Sequence, residues 1–216
     1  MPNHTNKIIS VNVGMPKSIT FQEKILFTGI NKQEVNKPVF LYKEKFEGDG
    51  QADLDNHGGE DKAVCVYSYQ HYPYWQKRLQ QPLSYGAFGE NLTIEGLTEE
   101  VVCIGDIYEL GEAIVQVTQP RQPCYKLAKI YDQDKLPIWF QNSGYTGYYF
   151  RVLQEGIVTK VKPIKLLERP TKNVTVSFAN NIMYHDKINI EGIKKILEVD
   201  ELSTSWRNVF LKRMGV

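Results

Sequence analysis

The 216 residues carry 26 Lys and Arg against 25 Asp and Glu, a formal net charge of +1, with 42% hydrophobic and 24% charged residues. This is ordinary globular usage, which excludes wholesale disorder, and the balanced charge argues against a nucleic-acid coat or a polybasic membrane anchor. No run approaches the ~18 apolar residues of a membrane span, the start MPNHTNKIISVNVG lacks a signal-like core, and three cysteines without a CxxC spacing fit neither a disulfide scaffold nor a cysteine-rich zinc site.

A reducing cytoplasm is therefore the expected compartment, with no nucleic-acid and no membrane partner. In chain order, short β-like runs are predicted at Lys7–Val13, Lys24–Ile30, Val39–Tyr42, Lys62–Tyr69, Asn91–Ile94, Asp106–Leu110, Ala113–Thr118, Tyr148–Leu153 and Val158–Glu168. The pair DIYEL and AIVQVT, joined by Gly111-Glu112, reads as a hairpin. Helices are predicted at Gln70–Gln80, Tyr125–Tyr131 and Leu136–Asn142. Many short strands with few helices suggest a barrel, because closure removes exposed edges.

Glycine and proline then stop. All 10 prolines and 14 of the 16 glycines lie at or before Pro170. The last 46 residues read as three short helices: one about Thr175–Tyr184, one after the N-cap Asn189, and one after the N-cap Ser203, ending at Gly215. The expected organisation is a β-barrel domain over 1–169 and a three-helix domain over 170–216.

Three segments could carry chemistry. Cys65 and Cys103 are flanked by β-branched residues and read as buried strand thiols. Cys124 differs. It follows Pro120-Arg121-Gln122-Pro123, a stiffened basic loop, and precedes a short helix, the setting of reactive cysteines. That suits a nucleophile or a soft metal ligand, with an inert loop cysteine as the alternative. His57-Gly58-Gly59-Glu60-Asp61-Lys62 leads into a strand. Its glycines let backbone N–H groups approach an anion, and Lys62 adds a point charge, although a glycine pair before a strand is more often only a turn. Gly86-Ala87-Phe88-Gly89-Glu90-Asn91 again brings backbone close to something, either a ligand or its own hairpin. The aromatic run Tyr67–Trp75 reads as core.

Taken in order, HGGEDKAV at 57–64, FGENLTIEGL at 88–97, IGDIYELG at 104–111, QPRQPCYKL at 119–127 and SGYTGYYFRVLQEG at 143–156 resemble the MOSC family, named for the C-terminal domain of molybdenum cofactor sulfurase. The tail, with TVSFANNIMYHDK at 175–187, resembles the three-alpha domain of a bacterial subgroup. The resemblance implies a mostly antiparallel β-barrel related to the pyruvate kinase barrel domain, followed by a small three-helix bundle. It implies that Cys124 ligates molybdenum of a molybdopterin cofactor. His57, Gly58, Gly59, Lys62, Asn91 and Arg121 fall in the site motifs, with His57 also a candidate catalytic residue and Arg121 a partner for the pterin phosphate. Asn91 is preceded here by Gly89-Glu90, where the amidoxime-reducing branch has Arg-Pro.

Two functions follow from the resemblance. One is a reductase of N-hydroxylated bases or amidoximes, with Cys124 as metal ligand and a separate flavin or iron–sulfur protein as electron donor. The other is a sulfur carrier whose Cys124 persulfide comes from a cysteine desulfurase. No pyridoxal-phosphate lyase segment accompanies the motifs, which disfavours a sulfurase acting alone.

Overall fold

A computed structural model describes residues 6–21, 24–53 and 58–215. Twelve strands and six α-helices are present among them. The strands are β1 (Lys7–Val13), β2 (Lys17–Phe21), β3 (Lys24–Thr28), β4 (Gln33–Glu34), β5 (Val39–Leu41), β6 (Val64–Ser68), β7 (Leu92–Glu95), β8 (Ile107–Leu110), β9 (Ala113–Pro120), β10 (Tyr148–Gln154), β11 (Gly156–Val158) and β12 (Lys165–Glu168). The helices are α1 (Tyr72–Leu79), α2 (Tyr125–Ile130), α3 (Leu136–Ser143), α4 (Val176–Tyr184), α5 (Ile190–Leu197) and α6 (Thr204–Met214).

Eight strands form one sheet in the order β12-β8-β9-β10-β6-β7-β1-β4. Every neighbouring pair is antiparallel except β6 and β7. The sheet curls into a half-barrel. Its ladder has two ends, β12 and β4, and isolated contacts span the gap: Ile164 N–H donates to the Asn6 carbonyl at 3.0 Å and Lys160 pairs with Glu34 at 2.5 Å. The expected ring is thus a mostly antiparallel barrel-like curl bridged at its seam. Two small pairs, β5–β11 and β2–β3, flank it.

The run expected as one strand over Val158–Glu168 is split into β11 and β12. Pro163 lies between them and has no N–H to give to a ladder. Cys103 is buried, but in a turn that makes an isolated bridge to Thr175 rather than in a strand.

Strand β6 is buried along its whole length. Val64 and Val66 point to the main core, which also holds Leu92, Val115, Val117 and Phe150. The alternate residues point the other way, as the period of two requires: Tyr67 enters a second, aromatic core with Tyr72, Trp75, Phe88 and Phe140. There Trp75 stacks on Phe140 at 4.2 Å between centroids, a contact worth about 0.5–1.5 kcal/mol beyond its buried area. Tyr67, Tyr72 and Trp75 of the run expected as core are buried, whereas Tyr69 and Tyr74 are exposed.

The three tail helices start where capping chemistry places them. Thr175 accepts from Phe178 N–H, Asn189 from Gly192 N–H and Ser203 from Trp206 N–H. Each such cap contributes about 1 kcal/mol. Their shared core contains Ile182, Ile193, Ile196, Trp206 and Phe210, and also Ile104 from before β8. In exchange Val176 sits in the main core. No helix among the described residues is long and apolar enough to cross a membrane.

Candidate functional site

A cleft opens beside the parallel β6–β7 pair. Its lining comes from stretches far apart in sequence: Thr28–Ile30 and Lys32 after β3, Asp49–Asp53, Lys62, Cys65 on β6, Gly89 and Asn91 before β7, Arg121, Cys124 and Lys126 around the start of α2, and Tyr149 on β10. Four of the sequence-predicted site residues therefore meet here: Lys62, Asn91, Arg121 and Cys124. Gly58 and Gly59 lie on the approach to Lys62 but do not line the cleft. Gly59 takes φ +87° with nothing crowding it, so backbone conformation rather than space demands glycine. His57 lies outside the described residues.

Cys124 is the N-cap of α2. Its extended backbone (φ −87°, ψ 143°) turns the Sγ back to accept from Lys126 N–H at 3.4 Å. The thiol is half-buried at the cleft wall, and all three cysteines are free. Lys126 ties this turn to β3 by donating to the Phe27 carbonyl at 3.1 Å.

Arg121 is buried. Its Nη2 donates to the Phe88 carbonyl at 2.5 Å, while its Nη1 is buried without a hydrogen-bond partner among the described residues. Guanidinium groups stay charged, so the cleft has a fixed cation with an unspent donor. Around it Tyr149 has its phenol pushed up by burial. Burial likewise pushes the Cys65 thiol up, against the opposing pull of Arg121. Lys62 is lowered, first by burial, with Asp61 and Asp53 working in the other direction.

Asn91 does not offer its amide to the cleft. Its Oδ1 accepts from Cys65 N–H at 3.0 Å, and its Nδ2 donates to Asp49 at 2.8 Å and to the Asn12 carbonyl at 3.3 Å. It is a keystone that joins β1, β6 and the Asp49 loop. Asp49 in turn accepts from Gly14 N–H at 2.9 Å and pairs with Lys32, both side chains being nearly buried. Glu90 is spent in the same way on Tyr72, Gly86 N–H, Phe88 N–H and Thr93. Of this segment only the Gly89 backbone and Asn91 reach the cleft wall. Gly89 has φ +79°, and a Cβ there would come within 3.1 Å of the Ile30 Cα; both facts exclude a side chain.

Sequence reasoning missed Lys32, Asp49, Lys126, Tyr149 and the second thiol, Cys65. Asp49 had a signal in its flanking glycines, Gly48 and Gly50. Cys65 is buried, as its apolar neighbours implied, yet it faces the cleft because it alternates with the core-facing Val64 and Val66.

The fold, the motif order and this cleft define a MOSC protein. The MOSC domain model matches residues 53–165, and a model for the YiiM-like, 3-alpha helix domain matches residues 174–214. The chain belongs to the MOSC family, with the three-alpha helices of its YiiM-like members. It is 52% identical over 213 residues to YflK of Bacillus subtilis (strain 168), covering 99% of this chain and 96% of YflK. The crystal structure of YiiM from Geobacillus stearothermophilus superposes with a TM-score of 0.82 at 42% identity, over 97% of this chain and 99% of that one. A protein named Reductase from Gibberella moniliformis (strain M3125 / FGSC 7600) is 39% identical over 147 residues, which is 66% of this chain but only 26% of that protein.

Proposed function

We propose that this chain is a molybdenum-cofactor-dependent reductase of N-hydroxylated bases and amidoxime-type compounds, with Cys124 as the protein ligand to the metal. One observation carries the reading: a half-buried thiol and a buried guanidinium with an unspent donor share a cleft lined by Lys32, Lys62 and Lys126. A pterin phosphate needs fork-like donors and positive charge, which Arg121 supplies. A metal that arrives with dithiolene sulfur needs one further soft donor, which Cys124 supplies. When bound, the cofactor would supply the two-electron reduction of an N–OH group, with two protons, to N–H and water.

The chain's own residues then have distinct tasks. Arg121 holds the anionic end, and Lys62 and Lys126 add point charges at the wall. Asn91 fixes Cys65 and Asp49 rather than the ligand. Gly58 and Gly59 let the chain turn into Lys62. A separate flavin or iron–sulfur protein would deliver the electrons in the cytoplasm.

Expression in a molybdenum-competent host tests the reading, with molybdenum counted per folded chain and hydroxylaminopurine reduction followed with a chemical reductant. About one metal per chain together with turnover supports it; a metal-free, inactive chain contradicts it. A second reading is favoured by the half-buried Cys124 sulfur alone: a persulfide received from a cysteine desulfurase. Cyanide-labile sulfur without metal would select that reading.

A further inference from the structure

The last helix of the tail, through its first turn, reaches residues that stand next to two cleft-lining positions, Lys62 and Arg121. Thr204 N–H donates to Asp61 Oδ2 at 3.2 Å, one residue before Lys62. Ser203 N–H donates to the Thr118 carbonyl at 3.1 Å, and the Thr118 hydroxyl donates to the Asp61 carbonyl at 2.6 Å. Ser205 Oγ donates to Gln119 Oε1 at 2.9 Å, two residues before Arg121. Arg151 closes the set. Its Nη2 donates both to Asp61 Oδ1 at 2.6 Å and to the Glu201 carbonyl at 3.0 Å.

The turn at Asp61, which lies outside the strand ladders, and the end of β9, where Gln119 is paired with Tyr149 of β10, thus meet at one point. The 3₁₀ turn Glu60–Lys62 is closed by a hydrogen bond from Lys62 N–H to the Gly59 carbonyl at 3.0 Å. Its other restraints are Gln51, which donates to the Lys62 carbonyl at 3.3 Å, and the Asp61 network. Removing the network takes away the bonds that tie Asp61, the neighbour of Lys62, to the tail.

We propose that the N-terminal turn of α6, Ser203–Ser205, is a clamp that sets the position of Lys62 through Asp61, its positioning residue, while it braces the end of β9 through Gln119. The three-alpha segment is then part of the site's machinery rather than an appended module. The clamp itself is independent of what occupies the cleft; its effect on metal loading rests on the reductase reading.

The test uses a substitution that deletes one backbone donor and little else. Thr204 is the first residue of α6, where proline is well tolerated because that N–H has no intrahelical partner. Ser203 is already extended (φ −54°, ψ 147°), as a residue before proline must be. T204P therefore removes the bond to Asp61 and keeps the helix, and T204S keeps the bond. Hydrogen exchange of the full chain, read on peptides covering 58–62, should rise about tenfold in T204P, the scale of losing one charge-assisted hydrogen bond. It should match wild type in T204S. S205A, an exposed hydroxyl loss, should raise exchange on peptides covering 119–124. Thermal midpoints of all three should stay near wild type, and molybdenum per folded chain should fall in T204P alone of the Thr204 pair. Wild-type exchange at 58–62 in a folded T204P would overturn the clamp, as would an equal rise in T204S. A wild-type chain that takes up no molybdenum would sink the reductase reading, and the exchange comparison would still decide the clamp.

Discussion

Arg121 makes the most quantitative claim about the cleft. One of its terminal nitrogens is committed to the Phe88 carbonyl at 2.5 Å, and the other is buried with no partner among the described residues. An anion in the cleft would meet that second donor. A charge-assisted hydrogen bond contributes about 1.5–3 kcal/mol, and each 1.4 kcal/mol is about tenfold in affinity. Arg121→Gln, which removes the charge, should therefore weaken binding of inorganic phosphate by roughly 10- to 100-fold. Arg121→Lys keeps a charge but has a single ammonium, which cannot hold Phe88 and the anion in the same fork; it should fall between the two. The assay is calorimetric titration of the purified chain with phosphate at fixed ionic strength, each variant normalised to its folded fraction by thermal melt. The melt matters because Phe88 O loses its partner, at about 1–3 kcal/mol. A folded Arg121→Gln chain that binds phosphate as tightly as wild type would refute the assignment.

Other outcomes follow from the same geometry. Arg169 forks onto the fully buried Asp106 at 2.8 and 2.7 Å, and Cys103 N–H and Tyr108 O–H also donate to that carboxylate, so Arg169→Ala should cost roughly 1–3 kcal/mol in a denaturant titration, while phosphate affinity per folded chain stays unchanged. Lys62 is lowered by burial; it is a cation below its shifted value and neutral above it, so affinity for sulfate, whose charge is constant, should fall as pH rises from about 7 towards the ordinary lysine value of about 10.4. Lys62→Arg should flatten that profile, and an unchanged slope in the variant would remove Lys62 from the account. Iodoacetamide should modify Cys124 first and in a sulfate-sensitive way, with Cys65 and Cys103 protected until unfolding because burial pushes both thiols up; peptide mass mapping reads the order.

Local chemistry was legible where a short rule decides it. Asn189 and Ser203 are N-caps as read, because their side chains accept from the third amide onward, and each helix begins one residue later; Thr175, read as helical, is the N-cap of the first. Strand β1 covers Lys7–Val13, the run predicted for it. The convergence of Lys62, Asn91, Arg121 and Cys124 was legible from motif order and from the family resemblance, not from spacing. What stayed hidden depends on pairing across the sheet. Asn91 looked like a ligand amide, but the parallel neighbour β6 takes its Oδ1 through Cys65 N–H. Cys65 looked like core, and only the pleat of β6 shows that it faces away from Val64 and Val66. Lys32 and Asp49 are far apart in sequence and become a buried pair only once the loops close over β1. The reach of Ser203–Ser205 to Asp61 and Gln119 is likewise a product of docking, invisible in any local pattern.

The central claim rests on the sulfur of Cys124. Cys124→Ser is a sharp test because Cys124 is an N-cap, and serine is among the best N-cap residues. The variant should therefore melt within the ~0.5 kcal/mol typical of surface changes, or slightly above wild type. Serine nevertheless replaces a soft thiolate donor with a hard hydroxyl. The decisive measurement is molybdenum per folded chain, with hydroxylaminopurine reduction on the same samples, for wild type and Cys124→Ser from a molybdenum-competent host. The account predicts about one metal and turnover in wild type, and loss of both in a fully folded Cys124→Ser chain. A Cys124→Ser chain that keeps its molybdenum and its rate would contradict it.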